Sequence, residues 1–277
     1  MISVVFAHYN RPEYLRRTLY AYKCTHEDLS NVEFIIIDDE SEIPADKVYQ
    51  EFKNTLNMKY IMQHYNKKPL TSCIIAMNLG AQYASGEILV IANPESLPIG
   101  PILEEIERTI ELNKYISVRC YATDPAYQKF INDLDCTSPD FVKNIIYSIR
   151  LKRHNTDGIY KGDAWYNHPI YRPAHYHFTS AIMRQDYIDM GGFDEDFIYG
   201  TGRDDVDFIR RLEVKGMNLQ YSSAIVLHQY HYHDSWIIRG TTKEDELINT
   251  ALYEQRKKEM NWKAGSSLLY QGEINGK

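Results

Sequence analysis

The residues best placed to do chemistry lie in 191–212, GGFDEDFIYGTGRDDVDFIRRL, where a glycine-broken acidic loop runs into a helix that opens on paired aspartates. Asp194, Glu195, Asp196, Asp204, Asp205 and Asp207 all fall within fourteen positions there. A helix N-terminus and its dipole are satisfied by one acid in the first turn. A denser set repels itself, which favours a cationic partner, a metal or a proton-transfer role. From Asp205 the helical offsets reach Phe208, Ile209 and Leu212, so its carboxylate tops an apolar stripe and is expected to look inward, into a cleft lined by the loop.

A second set of polar residues stands where short apolar runs stop. Residues 34–37 read as a buried strand ending in Asp38 and Asp39, and 88–92 as another followed by NPESLP, with Asn93 and Glu95. Ligands of parallel α/β sheets gather at such carboxyl ends.

Positioning these groups requires a scaffold, and the rest of the chain spells one. Residues 2–7 read as a strand, and Asn10 with Pro12 starts a helix over 13–22, which with 34–37 makes a βαβ unit. Residues 70–84 and 102–112 read as helices around the strand 88–92, so a parallel α/β sheet is expected. The stretch 119–177 carries one helix signal, SPDFVKNIIYSIRLKR, and then a Tyr/His/Gly-rich run that reads as an irregular loop or lid. After it, 178–183 and 223–227 read as strands and 203–215 as the acidic-headed helix. Residues 241–262 read as a long polar helix with Thr241 and Glu244 as its capping box.

Composition narrows the function classes. With 277 residues, 44% hydrophobic and 25% charged, the chain can bury a large core. A net charge of -7 with no Lys/Arg stripe excludes a nucleic-acid surface. Cys24, Cys73, Cys120 and Cys136 form no CxxC pair, which points to reduced thiols and a cytoplasmic setting rather than to a disulfide framework or a zinc site. No basic leader precedes the first apolar run and no segment nears the roughly eighteen apolar residues of a membrane span, so at most peripheral membrane contact is expected.

Five motifs taken in order, SVVFAHYNRPEYLRRTL, EFIIIDDES, AMNLGAQYASGEILVIANPESL, GGFDEDF and GRDDVDFIRRL, resemble the inverting GT-A glycosyltransferases of family two and their chondroitin-polymerase and galactosyltransferase-type relatives. The resemblance implies a single α/β domain over 1–240, with a Rossmann-like mixed sheet flanked by helices, 119–177 on the acceptor side and a C-terminal helical extension over 241–277. It also implies transfer of a sugar from a nucleotide-diphosphate donor, a UDP-sugar foremost, to a hydroxyl of a saccharide or glycan acceptor.

The resemblance extends to residues. Asp39, with Asp38 beside it, matches the aspartate that binds the base of the donor, and Ala7, Tyr9 and Arg11 match the loop that wraps the nucleotide. The metal-binding DxD motif aligns with Asn93-Pro94-Glu95, a departure in which Glu95 keeps an anionic oxygen for Mn²⁺ or Mg²⁺ and Asn93 offers a carbonyl oxygen. His228 matches a histidine ligand of some relatives, with His231 and His233 close behind; a histidine so placed is as commonly packed as ligating.

Asp205 matches the second acid of the family's Glu-Asp pair and is the expected general base; Asp204 replaces the glutamate and orients the acceptor. Gly191 and Gly192 let the backbone approach the sugar. Arg203 is assigned to the donor and Asp194 to the acceptor, and Arg203 or Lys161 would offset leaving-group charge if no metal did. Trp165, Tyr166 and Tyr171 are aromatic faces for the acceptor. Two alternatives stand beside this reading. One is a catalytically weak nucleotide-sugar-binding module, for the missing aspartate. The other is a sugar nucleotidyltransferase, although AHYNRPEY lacks the glycine-rich basic loop that class uses.

Overall fold

The computed structural model describes residues 1–71, 73–152, 164–231 and 242–273, with 271–273 described by backbone alone. The first half alternates strands and helices: β1 (Ile2–His8), α1 (Pro12–Thr25), β2 (Val32–Asp38), α2 (Asp46–Phe52), β3 (Asn57–Met62), α3 (Cys73–Tyr83), β4 (Ile88–Ala92), β5 (Ser96–Pro98) and α4 (Ile102–Thr109). The second half holds β6 (Lys114–Ala122), α5 (Pro125–Asp133), α6 (Phe141–Ser148), β7 (Ala164–Asn167), β8 (Thr179–Met183), α7 (Arg184–Asp189), α8 (Asp204–Lys215), β9 (Asn218–His228) and α9 (Lys243–Glu259).

One mixed sheet runs β3-β2-β1-β4-β8-β6-β9-β5, with β7 on β6. Its β3-β2-β1-β4 half is parallel, and β8 then pairs antiparallel with both β4 and β6. The parallel half follows from sequence: every residue of VEFIIID and ILVIA is buried, the composition of strands covered on both faces. Helix α1 takes Pro12 in its first turn, where the missing N–H costs nothing.

The parallel pairing expected of the first half is present, and the whole sheet is mixed, as the resemblance implied: β8 returns antiparallel between β4 and β6, while β6 and β9 pair in parallel. Two expectations need correction. The described parts of 119–177, residues 119–152 and 164–177, are more regular than their composition implied. Strand β6 continues to Ala122, Asp124 caps α5 by accepting from the Tyr127 N–H at 2.7 Å, and β7 joins the sheet. The capping box of α9 is Thr242 with Asp245, one residue later than read, and Thr241 lies outside the described residues.

Candidate active site

The carboxyl ends of β1 and β4, the start of α3 and the start of α8 surround a cavity of about 320 Å³. Ala7, Tyr9 and Arg11 come from the β1–α1 turn, Asn93 and Glu95 from the turn after β4, Thr71, Cys73 and Met77 from around the start of α3, and His177, Asp204 and Asp205 from the second half. Residues far apart in sequence meet because parallel strands all deliver their C-termini to one edge.

On the α8 wall, Asp205 Oδ1 lies 2.9 Å from His177 Nδ1, and its side chain keeps 40% of its surface accessible. Its stripe behaves as the offsets require, with Phe208 and Leu212 fully buried. Burial works against a protonated His177, but the charges of Asp205 and Asp204 outweigh it and raise the imidazole above its ordinary value. Asp204 is half-buried on the same wall. Burial and the neighbouring Asp205 charge push it up to about 7, against the opposing pull of His177.

The turn beside this wall is held rigidly. Gly191 and Gly192 have φ of 77° and 60°, a region closed to most side chains, and a Cβ on Gly192 would run into Asn78 Oδ1 and Tyr187. Asn78, buried in α3, accepts from Phe193 N–H at 2.9 Å and donates to the Phe193 carbonyl at 2.9 Å. Asp207 sits under α8 at zero exposure, accepting from Arg210 and Arg211 at 2.7 Å each, while Arg211 also donates to the Gly192 carbonyl at 2.7 Å. Asp207 is therefore a structural acid, and the six-acid cluster divides by partner.

On the β4 wall, Glu95 is buried and its Oε1 lies 2.9 Å from Arg11 Nη1, 3.4 Å from His228 Nε2 and 3.5 Å from His231 Nε2. Burial pushes this carboxyl up, but Arg11 and the two histidines overcome that and hold it well below the usual glutamate range. Burial lowers His228. Glu95, His228 and His231 offer ligand atoms within 4.8 Å of one another, and Glu95 Oε2 is buried with no hydrogen-bond partner among the described residues. An orphaned carboxylate oxygen beside two imidazoles fits a divalent cation.

Several expected site residues are committed elsewhere. Asp38 accepts from the Ser41 and Ala45 N–H groups at 3.1 and 2.8 Å and from Tyr60 at 3.0 Å, beside His8, so it staples the β2 turn. Burial pushes Asp38 up, and His8, Ser41 and Ala45 outweigh it to hold the carboxyl below the ordinary aspartate range. Asp39 accepts from the Tyr65 hydroxyl at 2.6 Å and pairs with Lys68, whose Nζ stands 3.9 Å over the Tyr9 ring, so Asp39 lies behind the cavity wall. Asp194 is 2% exposed and accepts from the N–H groups of Asp196, Gly265 and Ser266 and from Arg256, which leaves it no reach to an acceptor.

Arg203, at φ 69°, turns to Thr250 and Tyr253 of α9 and is not among the residues lining the cavity. Trp165 and Tyr166 are buried in β7, Trp165 donating to the Lys152 carbonyl at 2.8 Å and Tyr166 packing edge-on to His228 at 5.1 Å, and Tyr171 stacks on Trp165 at 6.4 Å. Trp165 and Tyr166 belong to the core, and Tyr171 packs against it half-buried. Lys161 and His233 lie outside the described residues. What sequence reasoning missed is His177 and Asn78. Asn78 carried a signal, an amide in the middle of the apolar run of α3.

Residues 3–115 match the family model described as Glycosyl transferase family 2. No curated protein sequence matches the chain. Among solved structures, the mannosyltransferase PcManGT from Pyrobaculum calidifontis, in complex with GDP-Man and Mn²⁺, is similar with a TM-score of 0.55 at 15% identity, covering 92% of this chain and 64% of that one. S. aureus TarS 1–349 is similar with a TM-score of 0.53 at 12% identity, over 92% of this chain and 64% of that one. The same TarS segment in complex with UDP-GlcNAc gives 0.51 at 11% identity, over 94% and 73%. This chain thus spans about 64% of the length of the first two, and the likeness is one of fold, the GT-A fold.

Proposed function

We propose that this chain, whose residues 3–115 match the model described as Glycosyl transferase family 2, is a glycosyltransferase that moves a sugar from a nucleotide-diphosphate donor to a hydroxyl of a saccharide acceptor with inversion. The observation that carries this reading is that one cavity brings together the carboxylates of Asp205 and Glu95, the first accessible and paired with a histidine, the second buried against Arg11 and two further histidines. The two acids have opposite surroundings and hence separate tasks.

Asp205 takes the proton of the acceptor hydroxyl as its oxygen bonds to the anomeric carbon. The bond from that carbon to the diphosphate breaks on the opposite face, its electron pair leaving with the nucleotide. Direct displacement inverts the centre. Asp204, half-buried beside the base, holds the acceptor in line. Ala7 and Tyr9 line the nucleotide side of the cavity, and Asp39 reaches the base when the Lys68 and Tyr65 contacts over it give way. Asn93 lies between, offering a carbonyl oxygen.

Glu95, His228 and His231 are the groups that would hold a divalent cation, whose chemistry is to offset the charge of a departing diphosphate. Two imidazoles in the set favour Mn²⁺ over Mg²⁺, which prefers oxygen throughout. Arg11, already on Glu95, adds a fixed positive charge at the same place, the role first given to Arg203 or Lys161. A thermal-shift panel of UDP, GDP and their sugars with and without Mn²⁺ tests the reading, because a native-state ligand raises the melting midpoint. No shift with any nucleotide would refute it.

A further inference from the structure

The mechanism uses Asp205 but not the histidine bonded to it. His177 comes from the loop before β8, lines the same cavity, and its ring packs edge-on against Phe193 at 4.9 Å. Phe193 is in turn fixed through its backbone by Asn78. A continuous, rigid path thus runs from α3 through the glycine turn to one oxygen of the base. We propose that His177 is a positioning residue for transfer: its Nδ1–H holds Oδ1 of Asp205, so that Oδ2 is the oxygen presented to the acceptor hydroxyl. This rests on Asp205 being the base.

The step balances without proton transfer to the histidine. The hydroxyl proton passes to Asp205 Oδ2, the new carbon–oxygen bond forms, and the diphosphate leaves with its electron pair, while His177 keeps its proton throughout. An aspartate free to rotate presents either oxygen in many directions; one pinned by a buried ring presents one. The groups facing the pair agree with this assignment. Asp204 precedes Asp205 on α8, and the raised His177 is held protonated by both acids against burial. Tyr115 of β6 is buried and raised, burial first and the Asp205 charge adding to it, and so stays neutral. Arg11, Glu95, Tyr9 and Cys73 occupy the other walls, and Arg203 faces α9.

The sign of the pH dependence follows: the charged pair is complete below the raised His177 value and is lost as pH rises through it. Two measurements test the proposal. The first follows the ring carbons of labelled histidines by NMR from pH 5 to 9, with and without Asp205→Asn. His177 should titrate above the ordinary imidazole value of about 6.5 in the native protein and fall in the variant, where the Asp205 charge is gone. The second measures nucleoside-diphosphate release from UDP-GlcNAc and GDP-Man. His177→Ala should lower kcat on the order of a hundredfold with donor KM within about twofold, His177→Gln should recover much of that loss through its amide N–H, and both should lose the alkaline fall of the pH profile.

An unmoved His177 midpoint in Asp205→Asn, or native kcat and pH profile in His177→Ala, overturns the proposal. A merely structural histidine would lower the melting midpoint in both variants and leave the profile's shape unchanged, which also overturns it. If Asp205→Asn itself turns over normally, the base assignment fails instead, and the two failures are distinct.

Discussion

Single side chains decide what this cavity can do. Asp205→Asn removes the proton acceptor without touching the nucleotide side, so kcat should fall by about a hundredfold or more with donor affinity unchanged, as read by steady-state kinetics and titration. Glu95→Gln should weaken diphosphate-sugar binding only when Mn²⁺ is present, and native activity in excess EDTA would instead assign the charge to Arg11 alone. Asp204 makes a prediction about stability. Its folded value near 7 stands above the unfolded aspartate, so the folded state binds that proton more tightly, and Asp204 supports folding fully below about pH 4 and progressively less as pH rises through about 7. Asp204→Asn should accordingly raise the melting midpoint more at pH 8 than at pH 5; an equal shift at both would place Asp204 in an unperturbed setting.

At the scale of elements, helix α8 shows what was and was not legible. Its amphipathic stripe, acidic head and glycine stop at Gly216 are all local signals, so its span and the turn of Asp205 toward the cavity could be read from spacing. The burial of Asp207 beneath the helix could not. Asp205 and Asp207 are two residues apart and alike in sequence, yet one meets His177 and solvent while the other meets two arginines in the core, a difference made by tertiary partners alone. Asp194, Trp165 and Tyr166 misled for the same reason: exposure depends on what packs over a residue, and β7 is covered. The buried clamp predicts a sharp effect. Asp207→Ala leaves Arg211, with no exposed surface, uncompensated beneath the glycine turn, and should cost about 3–5 kcal/mol of unfolding free energy in urea titrations. A cost below about 1 kcal/mol would mean that water reaches the guanidinium.

Across the whole molecule, the C-terminal segment reaches back to the catalytic face. Asn249 of α9 donates to the carbonyls of Phe197 and Gly202 at 3.0 and 2.8 Å, and Gly202 is a wall of the cavity two residues before Asp204. Tyr270 donates to the Met190 carbonyl at 3.2 Å just before the glycine turn, and Leu269 is buried in the cluster that contains Phe193, Phe197 and Phe208. Asp194 holds the return of the chain through Gly265, Ser266 and Arg256. These contacts argue against 241–277 as a separable extension: removing it would strip apolar cover from the very loop that aims His177 and Asp205. Asp194→Ala tests the link with little change in volume. It leaves three backbone N–H groups without their acceptor and takes one of three carboxylates from Arg256, a loss of about 2–4 kcal/mol by the usual cost of unmet charged hydrogen bonds, or roughly 5–15 °C in the melting midpoint of a chain this size. Amide exchange should quicken in 264–270 and in 200–204 together, and kcat should fall although Asp194 never meets a substrate. Faster exchange in 264–270 with 200–204 and kcat unchanged would show that the segment docks on the catalytic face without supporting it.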